Sequence, residues 1–334
     1  MRAIRSHAVG GTDLPDALRL DLDAPEPAPG PGEVLLRVKA VGLNYPDTLV
    51  IRDKYQFKWP RPFSPGIEGA GIVEAVGPDV TRFKPGDRVM TTADYGMLAE
   101  KVCVKARNCI AIAENVPDDE AAAMLITYGT AHYAYNLAHL KPGERVLVLG
   151  AAGGVGLAAV QLAKAAGAHV IAGAASAERA EIARQAGADT LLVYPRDIDG
   201  PDASRAFAAQ IKQTVPGGAI DVIMDPVGGP YAEPAFRCMA WGGRYLVVGF
   251  TAGIPKMPLN LALLKGASLV GVFWGAFNDA FPAHAAELSN EIAGMHASGI
   301  IKPLIGMRVP LEETRTGFKA LEDRSVIGKI VVTL

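Results

Sequence analysis

The chain has 334 residues, half of them hydrophobic and a fifth charged, and a formal net charge of −2. That length exceeds one typical core, so two domains are expected, and the near balance of charge argues against a nucleic-acid or membrane-surface protein. Three cysteines, Cys103, Cys109 and Cys238, are too few and odd in number for a disulfide framework and favour a reducing compartment.

The opening Met1-Arg-Ala-Ile-Arg-Ser-His has no apolar signal core, so a cytoplasmic protein is expected. Residues 1–120 read as β-rich with Gly/Pro punctuation. Glu33 to Val41 and Gly69 to Gly77 predict strands, and the turn Lys84-Pro-Gly-Asp87 feeds another at Arg88. From Asp118 the period changes: acidic residues after Pro117 predict a helix start that continues from Tyr128 to Ala138.

Strands and alanine-rich helices then alternate. Strands are predicted over 146–149, 169–173, 190–194, 219–224 and 244–249, with helices such as Ala177 to Ala186 and Ala203 to Val215 between them. This is the pattern of a doubly wound parallel sheet, an α/β fold. Ser268 to Trp274 predicts a further strand of the same sheet, Phe281 to Ser298 a helix, and Gly328 to Leu334 a closing strand. The expected domains are 1–120, 121–264, and 265–334 as a sheet extension that returns to the first domain.

The alternation is organised around Arg145-Val-Leu-Val-Leu-Gly150-Ala-Ala-Gly-Gly-Val-Gly156. A buried strand ends in a glycine turn and passes into a helix whose predicted buried face is Val155, Ala159, Leu162 and Ala166. Ala151, Gly153 and Gly156 have the A-x-G-x-x-G dinucleotide-binding spacing. Small residues there allow a tight turn, the approach of a pyrophosphate to the backbone, and close helix packing. Residues 146–163 carry no charge over 18 positions, long enough for a membrane span, but the glycine break makes a buried strand–turn–helix the better reading. Gly153, Gly154, Val155 and Gly156 are therefore candidate cofactor residues.

NAD-binding sheets place an acid at the end of the second strand for the ribose hydroxyls. Here Gly173-Ala-Ala-Ser176 has none before Glu178, whereas Ser176 and Arg179 offer a hydroxyl and a guanidinium suited to a 2′-phosphate. The expected cofactor is NADPH.

Several further stretches carry a resemblance: Gly42-Leu-Asn-Tyr-Pro-Asp-Thr48, Pro65 to Val73, Gln161-Leu-Ala-Lys164, Asp225-Pro-Val-Gly-Gly229, Leu259-Asn-Leu261, Val270 to Trp274, and Gly328-Lys-Ile-Val-Val332. With the glycine turn, they resemble the medium-chain dehydrogenase/reductase superfamily, and within it the zinc-free quinone oxidoreductases related to zeta-crystallin. The resemblance spans essentially the whole chain. It implies a Rossmann doubly wound parallel sheet inserted into a GroES-like β-rich catalytic domain, and a homodimer or homotetramer built through the Rossmann sheet.

Zinc members of the superfamily have Gly-His-Glu where this chain has Gly66-Ile67-Glu68, and a cysteine where 42–48 has none. Isoleucine cannot ligate, and the six scattered histidines have no carboxylate or cysteine at ligand spacing, so no metal is expected. Without a Lewis acid, the feasible chemistry is hydride delivery from NADPH to a quinone or an α,β-unsaturated carbonyl.

By resemblance, Asn44 lies beside the nicotinamide ribose or the substrate carbonyl, Thr127 near the cofactor phosphates, and Tyr194 near the adenosine 2′-phosphate. Phe250 and Thr251 lie where the sheet holds nicotinamide. Tyr55 occupies the position of a tyrosine that related enoyl-thioester reductases use as proton donor; solvent is the alternative donor, and Tyr45 ranks lower. Lys54, Phe57, Lys58, Trp59 and Arg61 are expected around the mouth of the pocket. The alternatives are an enoyl-thioester (enoyl-CoA or enoyl-ACP) reductase, and a low-turnover NADPH-binding structural or RNA-associated protein. Neither nucleic acid nor membrane is expected as a partner.

Overall fold

A computed structural model describes residues 1–11 and 14–334. They form two compact units: residues 1–126 with 277–334, and residues 127–276. The second unit therefore keeps 265–276, beyond the expected boundary at 264, because the strand there pairs with its sheet.

The first unit contains β1 (Ala3–Ser6), β2 (Leu18–Asp21), β3 (Glu33–Leu43), β4 (Glu68–Val76), β5 (Arg88–Thr92), β6 (Lys101–Lys105) and β7 (Cys109–Ala111). The second unit contributes β8 (Arg145–Val148), β9 (His169–Ala174), β10 (Thr190–Val193), β11 (Ile220–Asp225), β12 (Met239–Val247) and β13 (Ser268–Gly271). The chain then returns to the first unit with β14 (Ile305–Pro310) and β15 (Lys329–Thr333).

In the first unit, β1 and β2 form an antiparallel pair, and the larger sheet runs β14-β15-β3-β4-β5-β7 with β6 also on β3. The eleven-residue β3 organises it. Its first half pairs with β6 (Glu33 opposite Lys105), its second half with β15 (Leu43 opposite Ile330), and its other edge with β4. Alternate residues Val34, Leu36 and Val38 point into a core that includes Val73, Val89, Phe318, Ile330 and Val332.

The second unit is a six-stranded sheet in the order β10-β9-β8-β11-β12-β13, with every pairing parallel. The chain winds outward from β8 to β10, then crosses back to β11 on the other side of β8. The order reverses between β8 and β11, where open α/β sheets place ligands beyond the carboxyl ends of the strands. Leu147, Ile171, Leu192, Phe207, Ile211, Ile223, Phe236 and Tyr245 form its core. Among the described residues no helix is long and apolar enough to cross a membrane.

Three local expectations change. The helix predicted from Asp118 to Ala138 is two helices, Asp118–Ala121 and Thr127–Ala138, because the Ile126 N–H leaves the helical path to bond the Glu68 carboxylate at 2.9 Å. The helix after the glycine turn, Gly154–Ala165, buries Gly156 to Val160, Leu162 and Ala163, whereas Ala166 is exposed and Val155 half-buried. The strand expected over 268–274 ends at Gly271, and a helix starts at Trp274, whose indole lies against Gly129.

Candidate functional site

In the second unit, β8 delivers buried Val146, Leu147 and Val148 straight into the glycine turn. Gly153 caps the following helix with φ −81° and ψ 170°, an ordinary extended conformation. The amides of Gly154, Val155 and Gly156 occupy the first helical turn, so they have no intrahelical acceptor and carry the positive end of the dipole. The glycines do different work. A Cβ on Gly156 would lie 2.2 Å from the Gly150 carbonyl oxygen, so the helix packs this close only without a side chain. A Cβ on Gly153 would meet nothing nearer than 3.4 Å, and its φ suits any residue. Nothing in the protein demands glycine at 153, and its exposed position is open to a ligand.

Tyr194, expected near a 2′-phosphate, is buried beneath the turn. Its hydroxyl accepts the Gly150 N–H at 3.1 Å, and its ring packs on Tyr231 and Phe207 at centroid distances of 5.0 and 5.5 Å. Burial pushes its hydroxyl pKa up to about 12. Ser176 is the N-cap of helix Ala177–Gln185 and its Oγ accepts the Arg179 amide at 3.3 Å, which leaves its O–H to donate outward. Arg179 is half-buried one turn along, and Thr127 is buried at the start of its helix.

Beyond β11, Asp225 Oδ1 accepts the amides of Val227 and Gly228 at 2.8 Å each, while the Tyr245 hydroxyl donates to Oδ2. Burial raises the pKa of Asp225, and these three donors oppose the rise. The loop they shape is tied to the one after β12: Ala252 N–H donates to Val227 O at 2.8 Å and Gly229 N–H to Gly253 O at 2.7 Å. Phe250 (45% exposed) and Thr251 lie on this paired loop at the carboxyl ends of the strands.

In the first unit, a buried polar cluster sits where β3 ends. Lys329 and Glu68 form an ion pair at 2.7 Å with side chains only 5% and 1% exposed. The Lys329 ammonium donates to Leu43 O at 3.0 Å, Asn44 Oδ1 at 2.7 Å and Glu68 Oε1 at 2.7 Å, which uses all three protons. Asn44 Nδ2 donates to Gly42 O at 3.1 Å and Glu68 Oε1 at 2.9 Å. Lysine can only donate and a carboxylate can only accept, so the orientation of this amide is unambiguous. Both Asn44 donors are spent, and Oδ1 faces the Lys329 ammonium at the start of the helix. Removing either charged partner alone would strand a buried charge, at a cost of about 3–5 kcal/mol.

Helix Tyr45–Ile51 starts at Asn44, whose N–H donates to Asp47 Oδ2 at 2.8 Å. Asp47 is buried, and its Oδ1 makes no hydrogen bond. Burial pushes its pKa up to about 7, opposed by the Asn44 amide and by the Lys329 charge. Tyr55 follows, half-buried on an otherwise exposed loop, its ring edge-on to Phe57 at 6.1 Å. Burial and the Asp47 charge raise its pKa.

The sequence reading singled out Asn44 and Tyr55; it did not bring Glu68, Asp47 and Lys329 together with Asn44. The available signal was a lysine within an apolar closing strand.

The residues expected at a pocket mouth divide. Lys54, Phe57 and Lys58 are exposed, Trp59 packs on Tyr95 at 4.6 Å, and Arg61 is engaged by Asp53 and Ile51 O at 2.9 Å each. His7 and His296 each meet one carboxylate, Asp21 at 3.0 Å and Glu120 at 2.9 Å. Burial pushes the thiols of Cys103, Cys109 and Cys238 up to about 11, away from nucleophilic or ligand chemistry.

Residues 154–291 match the family described as zinc-binding dehydrogenase, and residues 30–114 the alcohol dehydrogenase GroES-like domain. The chain is 36% identical over 306 residues to bovine quinone oxidoreductase-like protein 2, covering 90% of this chain and 85% of that one. It is similar to a solved mycobacterial protein complexed with NADPH, at 30% identity and TM-score 0.89 over all of both chains. It is also similar to the quinone oxidoreductase of Thermus thermophilus, solved with and without NADPH, at 30% identity and TM-score 0.83 over all of both chains. Among the described residues, the side chains at the matching place do not make a zinc donor set. Ile67 precedes Glu68, the Lys329 cation lies on that carboxylate, and among the described residues no group of three His, Cys, Asp or Glu side chains is placed around a common point.

Proposed function

The chain belongs to the quinone oxidoreductase family of the medium-chain dehydrogenases/reductases, and from that premise we propose that it is an NADPH-dependent, metal-independent reductase of quinones or α,β-unsaturated carbonyls. The observation that carries the cofactor reading is the contrast at the glycine turn: Gly156 is required by packing, whereas Gly153 leaves open the space a pyrophosphate would take. The amides of Gly154, Val155 and Gly156 would face that pyrophosphate, and Ser176 with Arg179 the 2′-phosphate. Thr127, Phe250 and Thr251 complete the proposed cofactor residues, and Tyr194 supports them from beneath through Gly150.

Bound NADPH supplies the hydride. The chain has to bind it, hold the acceptor and deliver one proton to the oxyanion or carbanion that hydride addition creates. Tyr55 is the proposed donor. A tyrosine hydroxyl carries its proton at neutral pH, burial and the Asp47 charge shift its pKa further upward, and solvent can restore the proton because the side chain is only half-buried. Asn44 has no donor left for a substrate carbonyl, so its proposed contact with a ribose hydroxyl would be made through Oδ1, as an acceptor.

We further propose a homodimer through the second unit. Trp241, Leu259, Leu263 and Leu264 are 82%, 72%, 80% and 65% exposed close to the unpaired edge strand β13. Light scattering that reads a monomer at micromolar concentration would contradict this.

Steady-state assays with NADPH and 1,4-benzoquinone, a simple enone, or a short enoyl-CoA test the function. Turnover of quinone or enone is expected. A strong preference for enoyl-CoA would make the enzyme an enoyl-thioester reductase, and tight NADPH binding without turnover of any acceptor would leave a cofactor-binding protein.

A further inference from the structure

We propose that Lys329 is a positioning residue for this reduction: through Asn44 and Glu68 it locks the start of helix Tyr45–Ile51 and presents Asn44 as a pure hydrogen-bond acceptor. The inference rests on the reductase reading and adds a residue from the far end of the chain.

Lys329 is the one lysine or arginine buried among the described residues. It reaches this place because β15 pairs with β3 in a register that sets Ile330 opposite Leu43, so that Lys329 falls beside Asn44. Its three protons go to three different acceptors, two on consecutive residues at the end of β3 and one on β4. Glu68 closes the circuit. It takes Lys329 and Asn44 on Oε1 and the Ile126 amide on Oε2.

Stability alone does not explain such an arrangement. A buried ion pair is matched or surpassed by well-packed apolar residues of the same volume. What apolar residues cannot do is fix which way a carboxamide faces. With the ammonium on Oδ1 and the carboxylate on Nδ2, Asn44 cannot flip, so its acceptor oxygen keeps one direction. Loss of Lys329 would free that amide to turn and offer donors where an acceptor is needed.

The test combines exchange and kinetics. In wild type with NADPH bound and asparagine labelled with 15N, the Asn44 side-chain protons, assigned by their absence in Asn44→Ala, should exchange at least about a hundredfold more slowly than exposed carboxamides. Lys329→Met alone strands Glu68 and can lose the fold, so the informative variant is Lys329→Met with Glu68→Gln, which removes both charges. It should keep its far-UV circular dichroism and still bind NADPH, weakened by no more than the one ribose hydrogen bond, about tenfold. Its Asn44 protons should exchange rapidly, and kcat should fall about tenfold to a hundredfold with KM for the acceptor little changed.

Fast exchange of the Asn44 amide in wild type overturns the proposal. So does an unchanged kcat in a double variant whose Asn44 amide is released. If wild type reduces no acceptor, the reductase reading fails, and the exchange data still decide whether Lys329 orients Asn44.

Discussion

The N–H of Gly150 donates a 3.1 Å hydrogen bond to the hydroxyl of Tyr194, so the first residue of the glycine turn is held from below by a buried side chain of the next strand but one. Tyr194→Phe keeps the ring packing on Phe207 and Tyr231 but leaves that N–H without its partner. An unmet buried donor costs about 1–3 kcal/mol. Urea denaturation should show a loss of that size, and NADPH should bind several-fold more weakly. A variant as stable as wild type with unaltered affinity would show that the bond does not support the turn.

Gly153 and Gly156 should separate folding from binding. Gly153→Ala introduces a methyl that touches nothing closer than 3.4 Å, so its melting temperature should match wild type while NADPH affinity drops about tenfold or more. Gly156→Ala drives a methyl to 2.2 Å from the Gly150 oxygen and should lose about 1–3 kcal/mol or more of stability with or without cofactor. Thermal scans of both variants with and without NADPH read the contrast. Equal destabilisation by the two changes would mean that Gly153 is also a packing residue.

Asp47 gives the fold a pH dependence of definite sign. Its folded pKa is pushed up to about 7, above the ordinary carboxylate value of 3.8 that the unfolded chain retains. Between those values the native state holds a proton that the unfolded state releases. Stability therefore falls as pH rises through that window and levels off above about pH 7. Asp47→Asn removes the titration, so its stability relative to wild type should improve from pH 5 to pH 8, on the order of 1.4 kcal/mol for each pH unit of the shift spanned. Parallel pH curves for the two proteins would rule the effect out.

Tyr55→Phe removes the proposed proton donor and keeps the edge contact with Phe57. On an enone, where a carbanion or enolate must be protonated, kcat should fall by about a hundredfold or more. NADPH affinity should not move. Undiminished enone turnover would assign the proton to solvent.

Much of this was legible in the sequence because the signals were local. The strand of residues 145–148 and the A-x-G-x-x-G turn are contiguous, and the alternation that follows predicts the parallel sheet without long-range information. Ser176 announces itself in the same way, as a polar cap before a helix. The cluster in the first unit was not legible, because Asn44, Glu68 and Lys329 lie 24 and 261 residues apart and meet only through the pairings of β3 with β4 and β15. The break at Ile126 was hidden for the same reason: local acids and alanines favour continuous helix, and a distant carboxylate overrides them. Tyr194 was expected near the 2′-phosphate by resemblance, and only the packed structure shows that its hydroxyl serves the backbone of Gly150.

Fluorescence titration of the pure protein with NADPH and NADH, with Arg179→Ala measured beside wild type, tests whether this reductase is built around NADPH. NADPH should bind at least about tenfold more tightly than NADH, roughly 1.4 kcal/mol, and Arg179→Ala should lose the preference. Equal binding of the two cofactors by wild type would contradict the assignment of Ser176 and Arg179, and binding of neither would contradict the cofactor site itself.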